Sequence, residues 1–218
     1  MVGTSMHRIL KGGSTALLAV GLSATPAGAQ GASTAAAKPA AAQPSKALGS
    51  ISAPITMEVF SDFQCPSCRE LYQNTLRAVI ANYVLPGKVY LVHRDMPLAM
   101  HPYAREAARY ANAAAHVGKF EQVVDVLYAT QAAWSASGKI EEAVAAALTP
   151  KEMQRVRKLV KSGKVDAAID KDVSIGQMFQ VRSTPTVIIT HKGQTTPLPP
   201  GGVNYSLLKQ YLDHLLRQ

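Results

Sequence analysis

Cysteine is scarce in this 218-residue chain, with Cys65 and Cys68 the only two. A disulfide-built extracellular scaffold normally uses several bridges closing long loops, so that class is excluded. A bridge between these two would close a very short loop and restrain the unfolded chain little, which makes it a poor staple. Two thiolates do not complete a zinc site either. His93 and His101 offer no H-x3–5-H spacing, and there is no second cysteine pair. No metal and no cofactor is expected.

Acid is missing from the first 57 residues, Glu58 being the first carboxylate. The formal charge of +9 is spread out, without the concentrated block that a nucleic-acid surface requires, so no nucleic-acid partner is expected. The densest basic stretch, Lys151 to Lys164, interleaves with Val156, Leu159 and Val160 and reads as the solvated face of an amphipathic helix. Long apolar runs are lacking as well. Ala16 to Leu22 is too short to span a bilayer and no later stretch is apolar enough, so a soluble mature protein is expected.

The short run at 16–22 does fit an export signal. His7, Arg8 and Lys11 give a basic start, and Ala27-Gly28-Ala29 supplies the small-x-small pattern for cleavage. Residues 1–29 therefore read as a signal peptide, giving a periplasmic or other extracytoplasmic location. No cysteine stands nearby for a lipid anchor. Residues 30–50, mostly Ala, Pro, Ser, Gly, Thr, Gln and Lys, read as a flexible linker too polar to offset its ordering entropy.

Redox chemistry is the reading left for the cysteine pair, and its flanks favour it. Ile55 to Phe60 reads as a largely apolar, central strand. Cys65 then falls where a helix begins, with Pro66 suited to the first helical position. Tyr72, Leu76, Val79, Ile80 and Tyr83 recur at helical spacing. A thiolate on Cys65 would meet unpaired N–H groups and the positive end of the helix dipole. Cys68, one turn inward, would be shielded and placed to attack a mixed disulfide on Cys65.

The segment Ser61-Asp62-Phe63-Gln64-Cys65-Pro66-Ser67-Cys68 resembles the active-site motif of the DsbA-like thioredoxin-fold family, in particular its BdbD-like branch. The resemblance continues through His101-Pro102, Gly118-Lys119-Phe120 and Arg182-Ser183-Thr184-Pro185-Thr186, covering residues 51–218. It implies an α/β thioredoxin fold, βαβ…ββα, with an all-helical domain inserted between the second and third strands. The parts are 51–98, the helical insertion 99–181, and 182–218.

The rest of the sequence fits that order. Lys88 to Arg94 reads as the second strand, 101–180 shows only helical periodicity, and Thr149-Pro150-Lys151-Glu152 has the form of a capping box. Thr186 to Thr190 reads as a third strand and Leu198 as part of a proline-limited edge strand. Asn204 is placed to cap a last helix with Leu207, Leu208, Tyr211, Leu212 and Leu215 inward. Trp134 reads as packing and His101 as a packing or capping residue at the domain junction.

What the resemblance implies for function is a disulfide donor to unfolded or folding exported proteins with cysteine thiols. It would act as a monomer and be reoxidised by a membrane partner of DsbB or vitamin K epoxide reductase type. Cys65 and Cys68 would be catalytic, with Pro66, Ser67, Thr184 and Pro185 in support. An X–Pro bond is cis in only about 5–6% of folded cases, so spacing alone favours trans at Pro185; the resemblance implies cis. Ser67, in place of histidine, and Thr184, in place of valine, also suit a reductase or isomerase kept reduced by a membrane donor. From a different class, a non-redox peptide-binding or chaperone module would keep the groove and leave the thiols idle. Many family members carry a buried acid six residues before the first cysteine, where this chain has Val59. Glu58 is one residue earlier, on the opposite strand face unless a bulge shifts the register, and otherwise pairs with a basic residue. Asp62 is the alternative acid, expected to cap or orient the turn.

Overall fold

In the computed structural model the described residues are 46–199 and 203–218. The expected signal peptide and residues 30–45 of the expected linker lie outside them.

Five strands form one sheet in the order β1-β3-β2-β4-β5: β1 (Ala47–Leu48), β2 (Ile55–Ser61), β3 (Val89–Asp95), β4 (Thr186–His191) and β5 (Gln194–Pro197). β2 and β3 run parallel from Ile55↔Val89 to Ser61↔Asp95 without interruption. β4 runs antiparallel to β2, and β5 to β4. Alternation sends Ile55, Met57 and Val59 to one face of β2, where they pack with Leu76, Val79, Tyr83, Leu208 and Leu212. Phe60 goes to the other face, with Ile188 and Val181.

The helix after the cysteine motif begins as α1 (Pro66–Leu71) and continues through a π-helical stretch Tyr72–Leu76, α2 (Arg77–Val79) and a second π-helical stretch Ile80–Val84. Helical periodicity gave no sign of the two wider turns. Between β3 and β4 come six helices: α3 (Ala104–Ala115), α4 (Phe120–Ala129), α5 (Gln131–Ser137), α6 (Ile140–Ala145), α7 (Pro150–Lys161) and α8 (Asp166–Met178). Alanines 104, 107, 108, 111, 113 and 114 are all buried on α3, and small side chains let neighbouring helices approach closely there. Trp134 is buried in this core and donates to the Leu127 carbonyl at 2.7 Å. The capping box forms as expected, Thr149 and Glu152 each bonding the other's backbone N–H. The Asn204 side chain caps α9 (Tyr205–Leu215). The fold is the thioredoxin fold with a helical insertion after its second central strand.

Three expectations need correction. The end of the linker is ordered: Ala47 and Leu48 pair with Val92 and Leu91 on the otherwise open edge of β3. Gly49 turns the chain away at φ +88°, where a Cβ would sit 2.7 Å from the Val89 carbonyl oxygen. Leu207 does not face inward with Leu208 and Leu212 but is 55% exposed. Leu198 follows β5 rather than belonging to it, though its N–H still bonds the Val187 carbonyl at 2.8 Å.

Candidate active site

Cys65 is the N-cap residue of α1, and Pro66 takes the first helical position, where its missing N–H costs nothing. The turn that delivers it is closed by the Cys65 N–H on the Asp62 carbonyl at 3.1 Å. Both sulfurs are free thiols. They lie where the motif enters the helical core, packed with Phe63, Tyr128 and Leu127. Cys65 keeps 7% of its surface open and Cys68 1%. The outer cysteine is thus more covered than a bare helix end would leave it. The Thr184–Pro185 bond is cis, and the Thr184 carbonyl oxygen sits 3.4 Å from Cys65 Sγ. Beside it, a shallow groove is lined by Ser67, Leu71, Thr75, Pro185, Val187 and Leu207.

The two thiols are driven apart in acidity. A hydrogen bond from the Cys68 thiol, with help from Thr184 and the Ser67 and Cys68 backbone N–H groups, outweighs burial and pulls Cys65 down to about 5. Burial, then the neighbouring Cys65 sulfur, pushes Cys68 far up. At neutral pH the pair therefore holds one proton, on Cys68. Thiolate absorbance of the reduced protein should titrate with a midpoint near pH 5, and a Cys65→Ser variant should lose that step. A depressed pKa stabilises the folded, reduced form fully above the unfolded thiol value of about 8.5. That contribution declines as pH falls and is gone below about 5.

Asp62 and Gln131 hold this turn. The Asp62 side chain is wholly buried. Its Oδ1 accepts from the Gln64 N–H at 2.7 Å. Its Oδ2 accepts from the Leu98 N–H and from His101 Nδ1, each at 2.8 Å. Gln64 Oε1 accepts from the Tyr103 N–H at 2.8 Å. From α5, Gln131 Nε2 donates to the Phe63 carbonyl at 2.7 Å and the Cys65 carbonyl at 3.0 Å. His101 thus reaches into the cysteine turn rather than only packing at the junction. Gln131 carried no sequence signal beyond being a polar residue ahead of an apolar helix face.

Glu58 is elsewhere. The β2–β3 register has no bulge, and Glu58 Oε1 pairs with Arg94 Nη2 at 2.6 Å, on the strand face opposite Val59. Val59 is the residue that shares a core with the cysteine helix. The structure brings Cys65, Cys68, Pro66, Ser67, Thr184 and Pro185 together, and leaves Glu58 outside.

Fold and cysteine pair define the class as the thioredoxin-fold proteins, with the helical insertion seen in DsbA-type structures. The thioredoxin family model matches residues 41–206, and the chain belongs to that family. BdbD from Bacillus subtilis superimposes with a TM-score of 0.63 at 18% identity, over 80% of this chain and 94% of that one. Pseudomonas aeruginosa DsbA2 gives 0.64 at 25% identity, over 79% and 94%. A thioredoxin-like oxidoreductase from Silicibacter pomeroyi gives 0.65 at 21%, over 80% and 94%. Among curated sequences, the Na(+)/H(+) antiporter NhaA 3 of Salinispora tropica is 27% identical over 170 residues, 78% of this chain. The chain spans about a quarter of the length of the curated relatives it matches. Among the described residues, no helix is long and apolar enough to cross a membrane.

Proposed function

We propose that this protein works outside the cytoplasm as a disulfide donor to exported proteins whose cysteines are still reduced. The observation that carries this reading is the placement of the pair: Cys65 at the N-cap of α1 beside the cis Thr184–Pro185 bond, where its thiolate is favoured, and Cys68 buried behind it at 1% exposure. A thiolate this well stabilised lowers the free energy of the reduced protein, and so raises the oxidising power of the disulfide.

In the oxidised protein a client thiolate attacks Cys65 Sγ. The sulfur–sulfur electron pair passes to Cys68, which takes up a proton, and client and Cys65 are left joined. A second client thiolate then attacks the client sulfur, and Cys65 leaves as its stable thiolate. The client gains a disulfide and the protein is left as a dithiol. A membrane partner of DsbB or vitamin K epoxide reductase type would restore the disulfide by accepting the two electrons. The groove beside Pro185, with the Thr184 backbone at its head, would hold an extended client segment. Export rests on the leader at 1–29, and a monomer is the expected state.

Ser67 and Thr184 favour a second reading, a reductase or isomerase fed by a membrane donor. The reduction potential of Cys65–Cys68 against glutathione separates the two. A value toward about −120 mV supports the donor, and one near about −270 mV makes the protein a reductant. Replacing both cysteines by serine tests the non-redox alternative, since a pure peptide binder would keep its function.

A further inference from the structure

Whenever the Cys65–Cys68 bond breaks, Cys68 receives the electron pair in a place where burial makes charge costly. The donor aimed at it is the Asp62 backbone N–H, 3.4 Å from Cys68 Sγ. The aim of that N–H is fixed by the Asp62 side chain, which accepts three hydrogen bonds. Two come from backbone N–H groups, of Gln64 and Leu98. The third comes from a side chain, the His101 imidazole at 2.8 Å.

The Thr184 side chain also favours the charged form of the inner sulfur, less than the Asp62 N–H does; the other groups nearby do not. Burial raises the Tyr128 phenol far above its usual range. His93 stacks on the Phe63 ring and faces Asp95 at 3.5 Å. Glu58 is tied to Arg94. His101 sits in the loop that opens the helical insertion. Its own N–H bonds the Leu98 carbonyl at 3.0 Å, and its carbonyl accepts from the Ala104 N–H at 3.2 Å. The imidazole is therefore presented from a closed turn.

We propose that His101 is a positioning residue for the inner thiol: by holding Asp62 it aims the Asp62 N–H at Cys68 Sγ, so the insertion sets how readily Cys68 leaves and attacks. This rests on the reading of Cys65 as the exchanging cysteine and Cys68 as the resolving one. The aspartate is fixed from one side by the turn that carries the cysteines and from the other by the loop entering α3. A hydrogen bond to a developing charge is the kind whose loss is felt most in rate.

The test is release of glutathione from a mixed disulfide on Cys65 of the full chain. In that step Cys68 gives up its proton to the buffer and attacks Cys65 Sγ. The Cys65–Cys68 bond forms and glutathione leaves as a thiolate. His101→Leu should slow release by about tenfold, while alkylation of Cys65 in the reduced protein stays within about twofold. His101→Asn places an amide N–H close to the position of Nδ1 and should restore release to within about threefold. Unchanged release in His101→Leu overturns the proposal, and so does His101→Asn being as slow as His101→Leu. Should the leucine variant not fold, Asp62→Asn, which still accepts from the Gln64 N–H, is expected to show the same tenfold slowing, and normal release there overturns the proposal. Wild-type protein that releases no glutathione would refute Cys68 as the resolving thiol; intact wild-type release with indifferent variants refutes the clamp alone.

Discussion

Replacing Cys68 by alanine should leave the protein covalently trapped on proteins that carry disulfides. Cys65 loses the Cys68 thiol's hydrogen bond in this variant but keeps the backbone N–H groups of residues 67 and 68 at the helix end, which also favour its thiolate, and that thiolate attacks a disulfide in a client or in oxidised glutathione. One sulfur leaves, and Cys65 is left joined to the other. In the intact protein Cys68 then attacks Cys65 and ends the adduct within the same molecule. Without Cys68, release waits for an external thiol, so adducts accumulate on non-reducing gels and vanish with dithiothreitol. Cys65→Ala should behave in the opposite way. Its remaining thiol is 1% exposed and held protonated by burial, so no adduct should form. An ordinary thiol is only a few per cent thiolate at pH 7. Alkylation of Cys68 in that variant should therefore be at least about tenfold slower than alkylation of Cys65 in Cys68→Ala. Equal rates in the two variants would mean that the cysteines are not differentiated, and the assignment of outer and inner roles would fail.

The local parts of this site could be read from the sequence because their signals are local. An apolar strand, a turn, cysteines three positions apart and a helical stripe fall within 55–83. Helical periodicity marked the insertion, since its core is built from regularly spaced residues such as Phe120, Val123, Val124 and Leu127. What escaped were polar contacts that join distant segments. Asp62 and His101 are 39 positions apart, and Gln131 lies 66 positions from Cys65. Nothing in their own neighbourhoods announces the partner. A faint signal does exist in polar residues on faces that are otherwise apolar. Asn112 stands among the buried alanines of α3, and Asp172 stands between Ile169 and Gly176 on the buried side of α8. Both turn out to hold buried charge. The strand at Ala47–Leu48 escaped for a different reason. Two residues carry no periodicity, and the edge of β3 rather than their own sequence makes them extended.

Lys46→Met should cost about 3–5 kcal/mol, the range for removing one partner of a buried ion pair. The Lys46 ammonium contacts carboxylate oxygens of both Asp95 and Asp172. These side chains are 1% and 3% exposed. Asp172 keeps Arg94 at 2.9 Å, and Arg94 in turn keeps Glu58. Asp95 has a weaker reserve, since Asn112 Nδ2 at 2.7 Å donates a hydrogen bond but no full charge, and His93 faces it only at 3.5 Å. Methionine would fill the space of the lysine stem and leave the Asp95 carboxylate buried without its cation. The cost should depend on pH in a defined way. Burial opposes charge on Asp95, but Lys46 and His93 outweigh it and hold its pKa below the usual range. Burial likewise opposes charge on Lys46, and Asp95 and Asp172 outweigh it to raise its pKa. The depressed carboxylate contributes above its unfolded pKa of about 3.9 and loses that contribution as pH falls through the folded value. The raised lysine contributes below about 10.4 and loses that contribution as pH rises through its folded value. Urea unfolding of wild type and Lys46→Met should therefore differ most between about pH 4 and 10 and converge in acid. A difference that stayed constant down to pH 2 would locate the loss in packing of β1 rather than in the ion pair.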